Sequence, residues 1–173
     1  CMKPFEAFNF CPSCGKSQPP PEIPCLICAA CEFTYFFNPT IAAAGLILNE
    51  DGNMLFIERA KEPGKGKLAF VGGFMDAGEI AEEALEREIH EEVGLKVQNI
   101  QYVGNFPNSY HYKNITYPVL DFFFTATCTH TQAQLDLSEV ANLHWLNPNQ
   151  ISGKELAFES MRRAFDKWKS GRS

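Results

Sequence analysis

The chain has 173 residues, a formal net charge of −6 and 45 % apolar residues, fifteen of them phenylalanine. That length suits one domain of about 100–150 residues with a small appendage, and the aromatic content can fill its core. The acidic balance argues against a general nucleic-acid binder, no apolar run approaches a membrane span, and no charged-then-apolar segment opens the chain, so a cytoplasmic location is expected.

Five of the seven cysteines cluster near the start as Cys11-Pro-Ser-Cys14 and Cys25-Leu-Ile-Cys28-Ala-Ala-Cys31. Two C-x-x-C knuckles across a loop point to a structural Zn2+ site of four thiolates. The intervening segment 15–24 is polar and proline-rich, so a metal rather than a core is expected to hold this element together. The fifth cysteine leaves the second knuckle open, as Cys25/Cys28 or as Cys28/Cys31. Cys1, ahead of Met2, carries no functional weight. Cys128, in an expected strand, reads as a small buried apolar residue.

Next come two apolar runs, residues 41–49 and 53–59, flanking Asn49-Glu-Asp-Gly52 in a hairpin pattern. Residues 59–67 form a basic, glycine-containing loop in which Lys65 and Lys67 are candidates to reach substrate phosphates. Leu68-Ala-Phe-Val-Gly-Gly73 reads as a short buried strand entering a glycine turn, where backbone approaches a ligand closely.

The most informative stretch follows. Glu88, Glu91 and Glu92 stand at i, i+3 and i+4, so their carboxylates share one face of a helix. Like charges at those spacings destabilise a bare helix by about 0.2–0.5 kcal/mol per pair, so a positive partner is expected. Arg87 supplies part of it, four residues from both Glu83 and Glu91, and a hard divalent cation on carboxylate oxygens supplies the rest. Ala81, Leu85, Ile89 and Val93 recur at i+4 as the apolar stripe. Gly78-Glu79 is expected to open this helix and Gly94 to close it.

Residues 100–106, 117–127 and 143–146 read as further strands. The aromatic stretch 106–112 between them reads as an exposed loop, with Tyr110 a candidate to stack a nucleobase. Residues 153–169 read as a C-terminal amphipathic helix. The sum is an α/β protein, a mixed sheet with helices on both faces.

Residues 73–95 match G-x5-E-x7-R-E-U-x-E-E-x-G-U, with U aliphatic, at every position, and the chain thereby resembles the Nudix hydrolase superfamily. The resemblance implies an α/β/α sandwich over residues 39–173, preceded by a zinc ribbon at 1–38. It implies hydrolysis of a nucleoside diphosphate linked to another moiety, with Mg2+ or Mn2+ held by Glu88, Glu91, Glu92 and the Gly72 carbonyl. Arg87 would orient the carboxylates and Glu79 brace the loop, with Glu139 as a distal assisting glutamate. The ribbon and the run Cys31-Glu-Phe-Thr-Tyr35-Phe-Phe-Asn-Pro39 are similar to the NADH pyrophosphatase branch, and that alignment selects Cys11, Cys14, Cys28 and Cys31 as the zinc ligands. The branch's S-Q-P-W-P-F corresponds to residues 105–110, which keep the proline and an aromatic but not the tryptophan. A small-molecule nucleotide of the NAD(H) or ADP-ribose type is the expected substrate, with triphosphate hydrolysis or non-catalytic sensing as alternatives. A homodimer in contact through the ribbon is compatible with the resemblance.

Overall fold

The computed structural model describes residues 2–21 and 25–171. Cys1 and residues 22–24 of the expected ribbon loop lie outside the described residues. The chain divides into two compact units: one is the segment up to Thr40 together with Ser109–Val119, the other Ile41–Asn108 with Leu120 onward.

In the first unit, β1 (Cys25–Ile27) and β2 (Thr34–Phe36) pair antiparallel, with Leu26 opposite Tyr35. Leu26, Cys11 and Cys28 are buried. Phe5, Phe8, Tyr35 and Phe37 pack ring against ring, their centroids 4.7 to 6.1 Å apart. These rings flank the knuckles as a partly exposed aromatic cluster, Tyr35 being 46 % exposed.

In the second unit, β3 (Thr40–Leu48) and β4 (Met54–Arg59) form the expected hairpin, Leu48 opposite Met54. The run expected as one strand after the basic loop is two: β5 (Leu68–Ala69) pairs with β4, and β6 (Val71–Phe74) pairs with β3. The break falls at Phe70, whose buried ring packs against Phe56, Phe123 and Phe165. β7 (Gln98–Tyr112) and β8 (Ile115–Thr127) follow, and both continue into the first unit. β9 (Val140–Leu146) pairs with β4. The strand order is β5-β4-β3-β8-β7, with β6 on β3 and β9 on β4. The Cys128 amide, just past β8, donates to the Leu48 carbonyl at the end of β3 at 2.9 Å. Neighbouring strands that end together run in the same direction, so the sheet is mixed.

Residues 43–47 and 54–57 are buried without alternation, as strands covered on both faces must be. Register shows what covers each face. A Cβ on Gly45 would lie 3.2 Å from Leu85 of α1 (Ala81–Val93), and Gly45 pairs with Val71 and Ala43 with Gly73. Ala43, Gly45 and Gly73 thus form a seam of small residues beneath α1. On the opposite parity Phe56 meets Phe165 of α2 (Glu159–Ser170) edge to face at 6.1 Å. This is the α/β/α sandwich.

Two expectations need correction. Residues 106–112 are not a loop but the second half of β7, paired with β8. Asn105, Pro107, Asn108 and Ser109 disfavour strand locally, yet β7 is an edge strand, where a proline costs no ladder bond. The C-terminal helix begins at Glu159, not Gly153. Gly153–Glu155 is a separate 3-10 turn capped by Ser152, and the Ala157 amide donates to Leu68 at 2.8 Å, holding the chain extended between. Among the described residues no helix is long and apolar enough to cross a membrane.

Candidate metal-binding and catalytic site

Three segments of the second unit converge: the Gly72–Gly73 turn of β6, the acidic face of α1 and the turn before β9. A Cβ at Gly73 would sit 2.6 Å from the Glu88 carboxylate, so that carboxylate occupies the space a side chain would take. Gly72 has φ +147 and a Cβ there would meet the Ala43 carbonyl oxygen at 2.1 Å. Both glycines are required by close approach, one to β3 and one to Glu88.

The Gly72 amide donates to Glu92 Oε2 at 3.2 Å. The Met75 amide bonds to Ile41 at 3.0 Å, which makes the pairs 41/75, 43/73 and 45/71 the hydrogen-bonded ones of the β3–β6 ladder. Gly72, opposite Ala44, is therefore a non-bonded position whose carbonyl points off the ladder on the same side as its amide. That is the side on which Glu92 lies.

Arg87 ties the acidic face together. Its Nε and Nη2 donate to the two Glu79 oxygens at 2.7 and 3.0 Å, Nη1 to Glu88 at 2.8 Å and Glu91 at 3.1 Å, and Nη2 also to the Phe74 carbonyl at 3.0 Å. Glu83 takes no part; it accepts from the Ile80 amide at the start of α1. Glu79 does not open the helix, which starts at Ala81; it closes the preceding turn by accepting from the Asp76 amide at 2.8 Å.

The electrostatics separate the carboxylates. The Arg87 hydrogen bonds, with the Asp76 amide, hold Glu79 down to about 2. The same bonds raise Arg87 above its ordinary value. Burial raises Glu88 against the pull of Arg87. Burial also pushes Glu92 up to about 8, opposed by the Gly72 amide and reinforced by Glu88 and Glu139. A buried, electron-rich oxygen set that repels itself fits a hard divalent cation. Glu91 is more open, its side chain 59 % exposed.

Glu139 comes into electrostatic range of both Glu88 and Glu92. Its side chain pairs with Lys61, and its carbonyl accepts from the Ala60 amide at 2.9 Å. Lys65 and Lys67 lie exposed in the loop. Tyr110 belongs to the other unit. Two residues escaped the sequence reading. Lys61 was one lysine among several, and only folding selects it. Arg59, whose charge lowers Glu92, is tethered to the Pro63 carbonyl at 2.7 Å and lies over the Phe158 ring at 5.0 Å.

In the first unit the Sγ atoms of Cys11, Cys14, Cys28 and Cys31 all lie within 4.8 Å of one another, and Cys25 is not among them. Cys11 and Cys31 are 3.8 Å apart, Cys14 and Cys28 3.7 Å. Sulfurs about 2.3 Å from a central ion at tetrahedral angles would be about 3.8 Å apart, so the set fits a metal of that geometry.

The NUDIX domain family matches residues 38–168, which include the whole carboxylate cluster. The chain belongs to the NUDIX family. Among relatives in this family, the mitochondrial NAD(P)H pyrophosphatase NUDT13 of Mus musculus is 31 % identical over 130 residues, 73 % of this chain and 34 % of that protein. An NAD-capped RNA hydrolase NudC of Pseudomonas putida (strain W619) is 36 % identical over 160 residues, 86 % of this chain and 53 % of its own length. The chain therefore spans about a third to a half of these relatives. A NUDIX hydrolase from Nitrosomonas europaea superposes with a TM-score of 0.69 at 20 % identity, covering 99 % of this chain and 92 % of that one. At that identity the likeness concerns the NUDIX fold.

Proposed function

We propose that this NUDIX chain hydrolyses the phosphoric anhydride of a nucleoside diphosphate linked to another moiety, of the NAD(H) or ADP-ribose type. The observation that carries this reading is the convergence of Glu88 and Glu92 on the Gly72–Gly73 turn, with the Gly72 carbonyl aimed to the Glu92 side. Glu88, Glu91, Glu92 and that carbonyl would hold Mg2+ or Mn2+. A bound ion of that kind neutralises phosphate charge and acidifies a coordinated water.

The chain's own residues do the rest. Arg87 fixes three glutamates in one orientation, and Glu79, ionised at any physiological pH, locks Arg87. Glu139, whose charge acts on Glu88 and Glu92, would assist as a further oxygen for the ion or as the acceptor of an attacking water's proton. The four grouped cysteines would hold Zn2+ as a structural ion. Tyr110 remains the candidate for base contact, and Lys65 and Lys67 for phosphate contact. The names of the relatives support this substrate class, since NAD(P)H and an NAD cap share one anhydride.

Phosphorus NMR of product mixtures tests the reading. The panel is NADH, NAD, ADP-ribose, an NAD-capped oligonucleotide, a diadenosine polyphosphate and nucleoside triphosphates, each with Mg2+ or Mn2+. Two monophosphate ends from a dinucleotide or ADP-ribose are expected. Pyrophosphate released from a triphosphate would keep the cluster's role but reject the substrate class. Binding without turnover across the panel would overturn the enzyme reading in favour of a sensor.

A further inference from the structure

The turn before β9 is tied to both walls of the carboxylate cluster. The Asp136 amide donates to the Glu92 carbonyl at 2.9 Å, and the Glu139 amide donates to Asp136 at 3.0 Å. On the other side the Ala60 amide holds the Glu139 carbonyl, and one residue on, Lys61 pairs with the Glu139 carboxylate. The backbone of Glu139 is therefore fixed, and the charge of its carboxylate acts on two kinds of partner. One is the Lys61 ammonium. The other is the Glu88 and Glu92 pair, whose proton affinity the Glu139 charge already raises.

The two cations at and just beyond the end of β4 differ in setting. Arg59 is held by the Pro63 carbonyl and the Phe158 ring. Lys61 is 52 % exposed and Glu139 38 %, so no burial locks their pair together. A lysine ammonium is a compact, strongly hydrated point charge on a flexible stem, which a doubly charged ion can displace from a carboxylate.

We infer that Lys61 is a counterion built into the carboxylate cluster, which competes with the divalent cation for Glu139. It is a positioning residue, acting on the ion through Glu139, and the inference rests on the reading of Glu88 and Glu92 as metal-holding carboxylates. Coupling between two binding events is reciprocal: if the ion weakens the Lys61–Glu139 pair, losing Lys61 strengthens ion binding by the same factor. For a pair this exposed the factor is about threefold to fivefold at low ionic strength, and it shrinks as salt screens the ammonium.

The test is Mn2+ binding to substrate-free protein, by calorimetry and by the paramagnetic resonance signal of free Mn2+, with zinc saturating the cysteines. Lys61→Met is expected to bind Mn2+ about threefold to fivefold more tightly in low salt, with the gain fading in high salt. Lys61→Arg keeps the charge and can pair bidentately with Glu139, so it is expected to bind Mn2+ no more tightly than the unsubstituted protein does. Glu139→Gln is expected to bind more weakly, and adding Lys61→Met to it to change nothing. Unchanged or weaker binding by Lys61→Met, or a gain that persists without Glu139, would overturn the inference while leaving the metal site standing. If Mn2+ binding by the unsubstituted protein is no stronger than by Glu92→Gln, the metal reading falls and this inference with it.

Discussion

The Glu88 carboxylate lies where the Cβ of residue 73 would be, within 2.6 Å of it, so Gly73 and Glu88 are one feature built from two elements. The glycine is needed less for its backbone freedom than for the volume it leaves. Gly73→Ala is expected to displace Glu88, lowering Mn2+ affinity by about 10–100-fold, the range seen when the support of a ligand is lost. Overpacking at one methyl costs about 1–3 kcal/mol, so thermal unfolding should show a folded but weakened protein. Unchanged Mn2+ affinity in a folded variant would mean that Glu88 is not held by this contact.

Glu92 is buried against the Gly72 amide, and burial keeps its carboxyl near 8. Glu92→Gln keeps the shape and removes the charge. Turnover should fall by about a hundredfold or more, while nucleotide binding measured by calorimetry stays close to that of the parent. The metal-free variant should be no less stable than the parent at neutral pH, since the fold no longer has to keep a buried carboxyl protonated well above its ordinary range. Full turnover would remove Glu92 from the mechanism.

Glu79 behaves in the opposite way. Its carboxyl is held at about 2 in the fold against an ordinary 4.5, so the fold binds fewer protons than the unfolded chain in that window. The stability it contributes is complete above 4.5 and is lost as pH falls towards 2. Melting curves of the parent and Glu79→Gln should differ at pH 6, converge between pH 4.5 and 2, and coincide below. A gap that stays constant to pH 2 would show that the Arg87 pair contributes no ionic stabilisation.

The cysteines make a separate prediction. Cys31→Ser should lose bound zinc and the compactness of the first unit, measured by metal analysis and by protease sensitivity before Thr40. Cys25→Ser should keep both, because its thiol is outside the group of four. Zinc loss in the Cys25 variant, with retention in the Cys31 variant, would reverse the assignment.

The box of residues 73–95 marked the candidate site by itself, because its spacings are set within one helix and the turn before it. Helical geometry dictates that Glu88, Glu91 and Glu92 share a face, whatever the rest of the chain does. The two knuckles likewise announced a thiolate site. The choice between Cys25 and Cys31 is different: there residue spacing allows both, and position in space decides. Long-range pairing also made a strand of residues 106–112, since ladder bonds to β8 outweigh the weak local preference of Asn105, Pro107 and Asn108. The partners of Glu139 lie 78 residues away at Lys61 and 47 residues away at Glu92. No local pattern links them. The mixed sheet brings the end of β4, the tip of α1 and the turn before β9 to one place, and only that convergence distinguishes Lys61 from the other lysines of its loop.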